Sequence, residues 1–261
     1  MARADATGVP SYRRVVRPRL LLVALLSLTT LGAPAVPAQA TGPLAGRVIA
    51  LDPGHQLGNS SHTSEINRLV DAGGFRKPCN TTGTATNGGY PESTLNMAVV
   101  NSLKARLEAL GARVYLTRTV ESRSLWGPCI DVRGRFGAKV HADLMVSVHG
   151  DGASSSYRGF FVIRPALRRG WTDDIYTRSG VLQQDVRVGL DAVGLPRSNE
   201  YAGGLSTRGD LGTLNWSDVP VAMVELGNMR NAGDARRMTS TSGRAVYASG
   251  LARGIARFLA R

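Results

Sequence analysis

Lysine is scarce in this chain. Of 32 basic residues among 261, only Lys77, Lys104 and Lys139 are lysine, and the rest are arginine. Arginine in that proportion, among many alanines, reflects a GC-rich coding bias more than a nucleic-acid site. Aromatic residues are also few, at 6%. Beyond residue 40 no apolar run approaches the ~20 residues that a membrane-spanning helix needs, which excludes a multispan membrane protein. No internal repeat, linker or second domain is visible. The chain is 43% hydrophobic and 20% charged, too apolar and too evenly mixed for a disordered protein. Its formal charge of +13 favours anionic partners without choosing among nucleic acid, lipid and acidic polymer.

The first forty residues read as a secretory signal. Arg13, Arg14, Arg17 and Arg19 precede an apolar stretch from Leu20 to Leu31, and Ala38-Gln39-Ala40 fits the small-x-small cleavage rule. Cleavage is expected after Ala40, leaving roughly +9 on residues 41–261. The Arg13-Arg14 pair keeps twin-arginine export open beside the general route, and an uncleaved anchor is the alternative to both. Export bears on Cys79 and Cys129. An even count in an exported chain suggests a bridge, worth roughly 3–4 kcal/mol for a loop of ~50 residues in the chain-entropy model. Two free buried thiols are the other reading.

The periodicity predicts strands at residues 47–51, 113–117, 144–148, 159–163 and 221–225. Helices are predicted at 92–110, 131–140, 174–193, 231–239 and 243–260. Residues 56–91 are a long polar excursion with room for a short hairpin, and such an excursion is usually functional or mobile. The alternation implies a single α/β domain over 41–261, a twisted, mostly parallel sheet with helices on both faces.

Chemistry-bearing side chains collect at strand ends. His55 follows the first strand, His149 follows the third, Glu225 ends the last, and Glu92 opens the long helix. In open α/β sheets, sites form outside the carboxyl ends of the strands. Two histidines and a carboxylate with one open position form a catalytic zinc set, and a second carboxylate nearby is a competent base. A lone histidine at a strand end is more often structural, so this pattern alone is weak. The other two histidines, His62 and His141, read as solvent-facing or hydrogen-bonded, with His62 a candidate substrate contact.

The residues resemble a family. Val48-Ile-Ala-Leu-Asp52-Pro53-Gly54-His55, Pro91-Glu92 leading into Leu95-Asn96-Met97, and Val114-Tyr-Leu-Thr-Arg118 are similar to segments of the zinc-dependent N-acetylmuramoyl-L-alanine amidases of type 3. So are Ala142-Asp143-Leu-Met-Val-Ser-Val-His149 and Pro220-Val-Ala-Met-Val-Glu225-Leu-Gly227. The resemblance spans about residues 47–260. It implies one zinc ion per chain held by His55, Glu92 and His149, with Glu225 as the catalytic glutamate. The implied reaction is hydrolysis of the amide between N-acetylmuramic acid and L-alanine in peptidoglycan or muropeptides, in cell-wall turnover or recycling. Arg118 and Arg133 match family arginines, and with Asn228 they are candidate substrate contacts, a structural role being favoured for the arginines.

Some positions depart from the family pattern. Gln56-Leu57 stands for a usual Gly-Gly, Asn228 for an aromatic, and Gly150-Asp151 for Ala-Asn. These put substrate preference in doubt and leave the ligands in place. The excursion over 56–91 is a candidate flap, pinned to the body if Cys79 and Cys129 are bridged. Arg244, Arg253, Arg257 and Arg261 line up on the last predicted helix. A nucleic-acid binder would pair such a row with stacking aromatics. Here it reads as a solvated face that would aid adhesion to an anionic wall. No nucleic-acid partner and no membrane contact after signal cleavage are expected, and the chain is expected to be a monomer. The location implied is the periplasmic space, cell wall or medium. The lack of a wall-binding module leans towards soluble fragments as substrate. A catalytically dead wall-binding protein on the same fold is the main alternative, and the intact ligand set argues against it.

Overall fold

The computed structural model describes residues 41–261, so the signal-sequence expectation for residues 1–40 lies outside the described residues. The chain enters through β1 (Val48–Pro53) and passes a 3-10 turn over Leu57–Ser61 to α1 (Thr63–Asn67). A hairpin of β2 (Leu69–Asp71) and β3 (Arg76–Pro78) follows, then α2 (Glu92–Ala109), β4 (Arg113–Leu116), α3 (Ile130–Gly134) and α4 (Phe136–Lys139). Next come β5 (Leu144–Asp151), β6 (Phe161–Pro165), α5 (Tyr176–Asp191), β7 (Leu205–Arg208) and α6 (Gly212–Asn215). The chain closes with β8 (Val221–Asn228), α7 (Ala232–Thr239) and α8 (Thr241–Leu259).

Six strands form one sheet in the order β4-β1-β5-β8-β6-β7, parallel except where β6 meets β8. Parallel strands covered on both faces read as continuous apolar runs, and every residue of β1 is buried. Side-chain alternation divides the core. Ile49, Leu51, Leu144, Val146, Ala222 and Val224 face the layer of α2, α5 and α8. Val48, Ala50, Met145, Val221 and Met223 face the opposite layer, with Ile175 and Leu214. On α2 the buried Leu95, Val99, Leu103 and Leu107 recur every fourth residue. Each contributes about 1.5–3 kcal/mol of burial. Gly111, at a φ of 95°, ends that helix in the left-handed region.

Three differences from the sequence reading have local causes. The helix predicted over 131–140 breaks at Arg135 into α3 and α4. Gly134 and Gly137 weaken it there, and Gly134 lies against the Cβ of Trp216. β5 and β8 run past His149 and Glu225, to Asp151 and Asn228, so neither residue ends its strand. β7 and α6 were not anticipated, because Leu-Ser-Thr-Arg is polar and α6 is a single turn.

The excursion over 56–91 is an ordered wall with the hairpin inside it. Cys79 and Cys129 are joined by a disulfide. Asn80 Nδ2 donates to Pro128 O at 2.7 Å, and Ile130 N to Cys79 O at 2.8 Å. The hairpin is held at its far end by Trp216 Nε1 donating to Asp71 O and Asn215 Nδ2 donating to Ala72 O, both at 2.8 Å. Of the arginines on α8, Arg257 and Arg261 pair with the buried Asp185, and Arg244 donates to Met238 O and Thr239 O. Arg257 and Arg261 share that one carboxylate and stay about half exposed, at 53% and 48%, so the row is a solvated face that keeps net positive charge. Among the described residues no helix is long and apolar enough to cross a membrane.

Candidate active site

Side-chain alternation puts Asp52, Ser147, His149 and Glu225 on the sheet face that carries Ala50, Met145 and Met223. The short helices leave that face open at the carboxyl end of the sheet.

The turn after β1 is bent by force. His55 has a φ of 57°, in the left-handed region that a residue with a Cβ rarely adopts. Two buried guanidiniums hold it. Arg133 donates to His55 O at 2.8 Å, Pro53 O at 2.9 Å, Gly127 O at 3.0 Å and Pro128 O at 2.9 Å. It also pairs with the carboxylate of Asp52. Arg118 donates to Pro53 O at 2.9 Å, Gly54 O at 3.2 Å and Ser93 O at 3.0 Å, and to Val120 O and Glu121. A guanidinium has five N–H groups, and all five are spent on each arginine. Asn228 is buried too, its amide donating to Ala153 O, Ser154 O and Tyr157 O. The three candidate substrate contacts thus spend their donors on this chain's own backbone and side chains.

Asp52 is sealed from solvent. Burial works against its ionisation, but Arg133 and the hydroxyls of Ser147 and Thr117 outweigh burial, and its pKa is lowered. The pair therefore carries the clamp as two charges.

His55, Glu92 and His149 come together, each offering a ligand atom within 4.8 Å of the others. Glu92 Oε1 lies 3.1 Å from His55 Nε2 and 3.0 Å from His149 Nδ1. The outer contacts orient these groups as metal-site neighbours do. His55 Nδ1 meets Thr81 O at 3.0 Å, turning Nε2 inward. Glu92 Oε2 accepts from Thr84 N at 2.9 Å, and Oε1 from Gly150 N at 3.1 Å. Two glycines make the space. A Cβ on Gly54 would lie 2.2 Å from the His149 ring, and one on Gly83, at φ 76°, 2.8 Å from Glu92 Oε2.

The donor set fits a divalent cation. With Nδ1 of His55 donating to a carbonyl, Nε2 needs a second proton to bond Glu92, or it must give its lone pair to a cation instead. Burial opposes protonation of His55, but Glu92 outweighs burial and raises its pKa. Burial likewise opposes ionisation of Glu92, but the two imidazoles hold it well below the usual carboxylate range. Two histidines, one carboxylate and an open side form a zinc donor set.

Glu225 stands directly opposite His149 across the β5–β8 ladder. Its Oε2 is sealed from solvent and has no hydrogen-bond partner. Desolvation pushes its pKa well above the usual carboxylate range, Glu92 and Asp151 add to the shift, and Arg208 opposes it. A carboxyl so tuned keeps its proton to higher pH than a free glutamate does, as a group that accepts and returns a proton requires.

A cleft of about 240 Å³ opens beside these groups, lined by His55, His149 and Glu225 on one side. Pro78, Ile130, Leu211 and Met223 give it apolar surface, and Lys77 and Asn80 come from the excursion. The sequence reading missed Lys77, whose only signal was a rare lysine in a polar stretch. His62 does not line the cleft, and its Nδ1 meets Gly58 O at 2.8 Å. His141 is exposed after α4. A larger groove of about 630 Å³, lined by Arg164, Tyr176, Gln184 and Arg261, contains none of the clustered groups.

The chain matches the N-acetylmuramoyl-L-alanine amidase family over residues 49–257. It is 39% identical to an N-acetylmuramoyl-L-alanine amidase of Mycobacterium tuberculosis over 248 residues, covering 92% of this chain and 96% of that protein. Its fold is similar to that of the amidase Ami1 from Mycobacterium smegmatis, with a TM-score of 0.77 and 34% identity over 84% of this chain and 99% of that one. The apo form of Ami1 from Mycobacterium abscessus gives a TM-score of 0.77 with 38% identity, over 83% of this chain and all of that one.

Proposed function

The chain belongs to the N-acetylmuramoyl-L-alanine amidase family, type 3, and from that premise we propose that it is a zinc hydrolase with His55, Glu92 and His149 as metal ligands and Glu225 as the catalytic carboxylate. The reaction of the family is hydrolysis of the amide joining the lactyl group of N-acetylmuramic acid to L-alanine in peptidoglycan. The observation that carries the zinc reading is the meeting of two imidazole nitrogens and a carboxylate oxygen within 4.8 Å, beside a carboxyl group with an unpartnered oxygen.

Zinc bound there supplies Lewis-acid polarisation of the scissile carbonyl and acidifies water. Glu225 accepts a proton from the attacking water and delivers it to the alanine nitrogen as the C–N bond breaks. One water is consumed, leaving a lactyl carboxylic acid and a stem peptide with a free amino terminus. The raised pKa of Glu225 suits both transfers. The Arg118 and Arg133 clamp fixes the turn that carries His55, so these arginines act on positioning. The chain works as an exported monomer on peptidoglycan or its fragments, with residues 1–40 removed, in wall turnover or recycling.

The test uses purified residues 41–261 and muropeptides of defined stem. Mass spectrometry should find free stem peptide with an L-alanine amino terminus. Release should stop on chelation, return with zinc and be absent in Glu225→Ala. Release that persists at full rate without metal would overturn the zinc assignment.

A further inference from the structure

The cleft has two lining cations, Lys77 and Arg133, and they differ in what they have left to offer. Every N–H of Arg133 is bonded within the fold. Lys77 Nζ donates to Asp210 O at 2.8 Å and Asp210 Oδ2 at 3.3 Å, while an ammonium has three donors, so one is unspent. Its charge is unspent as well. The Asp210 carboxylate is already held by a two-pronged pair with Arg208, Nε to Oδ1 at 2.7 Å and Nη2 to Oδ2 at 2.8 Å. The trio Arg208, Asp210 and Lys77 therefore keeps a net positive charge, a third exposed at Lys77. Asp210 O anchors Lys77 and orders its long side chain before any ligand arrives, which lowers the entropy cost of using it.

We infer that Lys77 forms a carboxylate subsite in the cleft, selecting stem peptides that carry a free carboxylate close to the scissile amide. The inference rests on the hydrolase reading and adds its substrate class. The wall holding His55, His149 and Glu225 takes the amide. Pro78, Ile130, Leu211 and Met223 accommodate small alkyl groups such as the lactyl and alanine methyls. The acidic residue that follows alanine then meets the ammonium, and its amidated form does not. A cation on a cleft wall pairs with an anion more strongly than on an open surface, where screening weakens it.

The test compares two muramyl tripeptides, identical except that the second stem residue bears an α-carboxylate or an α-carboxamide. The zinc-loaded protein should favour the acid about tenfold in kcat/KM, which is ~1.4 kcal/mol. Lys77→Met should bring the ratio to about one by slowing the acid alone, and Lys77→Arg should keep a preference for the acid. Asp210→Asn separates tethering from recognition, because it loosens the hairpin contact yet leaves the ammonium, so the preference should survive. Affinities for the same two peptides, measured by calorimetry on Glu225→Gln, should follow the same pattern. Equal rates in the unsubstituted protein, or a Lys77→Met variant that slows both peptides alike, overturns the subsite and leaves the hydrolase reading standing. Cleavage of neither peptide overturns both.

Discussion

His149 and Glu225 are register partners on β5 and β8, two adjacent parallel strands at the centre of the sheet. One step along the same face, Ser147 donates to the buried Asp52 of β1 at 2.6 Å. The proposed metal ligand and the proposed proton carrier are thus fixed by a backbone ladder, and the neighbouring β1 supplies Asp52, whose ion pair with Arg133 of α3 anchors the His55 turn. Sites on strands are held more tightly than sites on loops. Only Glu92 comes from a helix, and Gly150 N on β5 ties it back to the sheet.

Metal removal should cost stability as well as activity. At a free zinc concentration one hundred times Kd, binding stabilises the fold by about 2.7 kcal/mol. For a domain of this size that is a Tm shift of roughly 5–10 °C. Chelation should lower Tm by that amount in the native protein and leave His149→Ala unmoved. Calorimetric titration with zinc should give one site per chain and none in the variant.

Arg133→Met should cost about 3–5 kcal/mol, because it strands the buried Asp52 charge and frees the carbonyls of Pro53 and His55. Arg133→Lys should not rescue it, having neither five donors nor the planar fork. The pH dependence has a definite sign. Asp52 has a lowered pKa in the fold, so its stabilising contribution is present above its unfolded value of about 3.9 and is lost as pH falls through the folded value. Urea unfolding from pH 3 to 7 should show a steeper acid loss in the native protein than in Asp52→Asn. Matching slopes would falsify the assignment of that limb to Asp52.

The convergence of His55, Glu92, His149 and Glu225 was legible because each stands at or near the carboxyl end of an apolar run or at the first residue of a periodic helix. Those local signals survive without tertiary information. That Arg118 and Arg133 clamp the β1 turn was not legible, since the carbonyls of Pro53, Gly54 and His55 lie 64 to 80 residues away. β7 was invisible for a similar reason. Leu205–Arg208 has no apolar pattern and becomes a strand only by pairing with β6. Lys77 and Asp210 are 133 residues apart, and nothing local in either stretch announces their contact.

The disulfide spans a separation of 50 residues and joins the excursion to the segment leading into α3. Replacing Cys79 and Cys129 together by serine should cost about 3–4 kcal/mol, a Tm loss of roughly 10 °C. The effect on catalysis should fall on KM more than on kcat. Lys77, Pro78 and Asn80 line the cleft from the excursion, whereas His149 and Glu225 sit on the sheet. Steady-state kinetics of the double variant, at a temperature where it remains folded, gives the split. A fall in kcat at constant KM would show that the bridge supports the sheet side instead.

Glu225→Gln should abolish most of the activity and yet stabilise the metal-free fold. Removing a general acid–base group lowers the rate by about 10²–10⁴-fold. The stability effect follows from the unpartnered Oε2 and the raised pKa of the carboxyl. A carboxyl whose folded pKa lies above its unfolded value binds more protons when folded, so stability falls as pH rises above the unfolded value of about 4.3. Glutamine is uncharged at every pH and escapes that penalty. The variant should gain near neutrality, by about 1.4 kcal/mol for each tenfold by which the fold suppresses ionisation of the native carboxyl. The gain should shrink towards zero below pH 4, where the native carboxyl is protonated in both states. Paired denaturation curves at pH 4 and pH 7.5, in chelator, measure it. A gain of equal size at both pH values would mean that shape, and not charge, sets the difference, and would remove the basis for reading Glu225 as a proton carrier tuned by its surroundings.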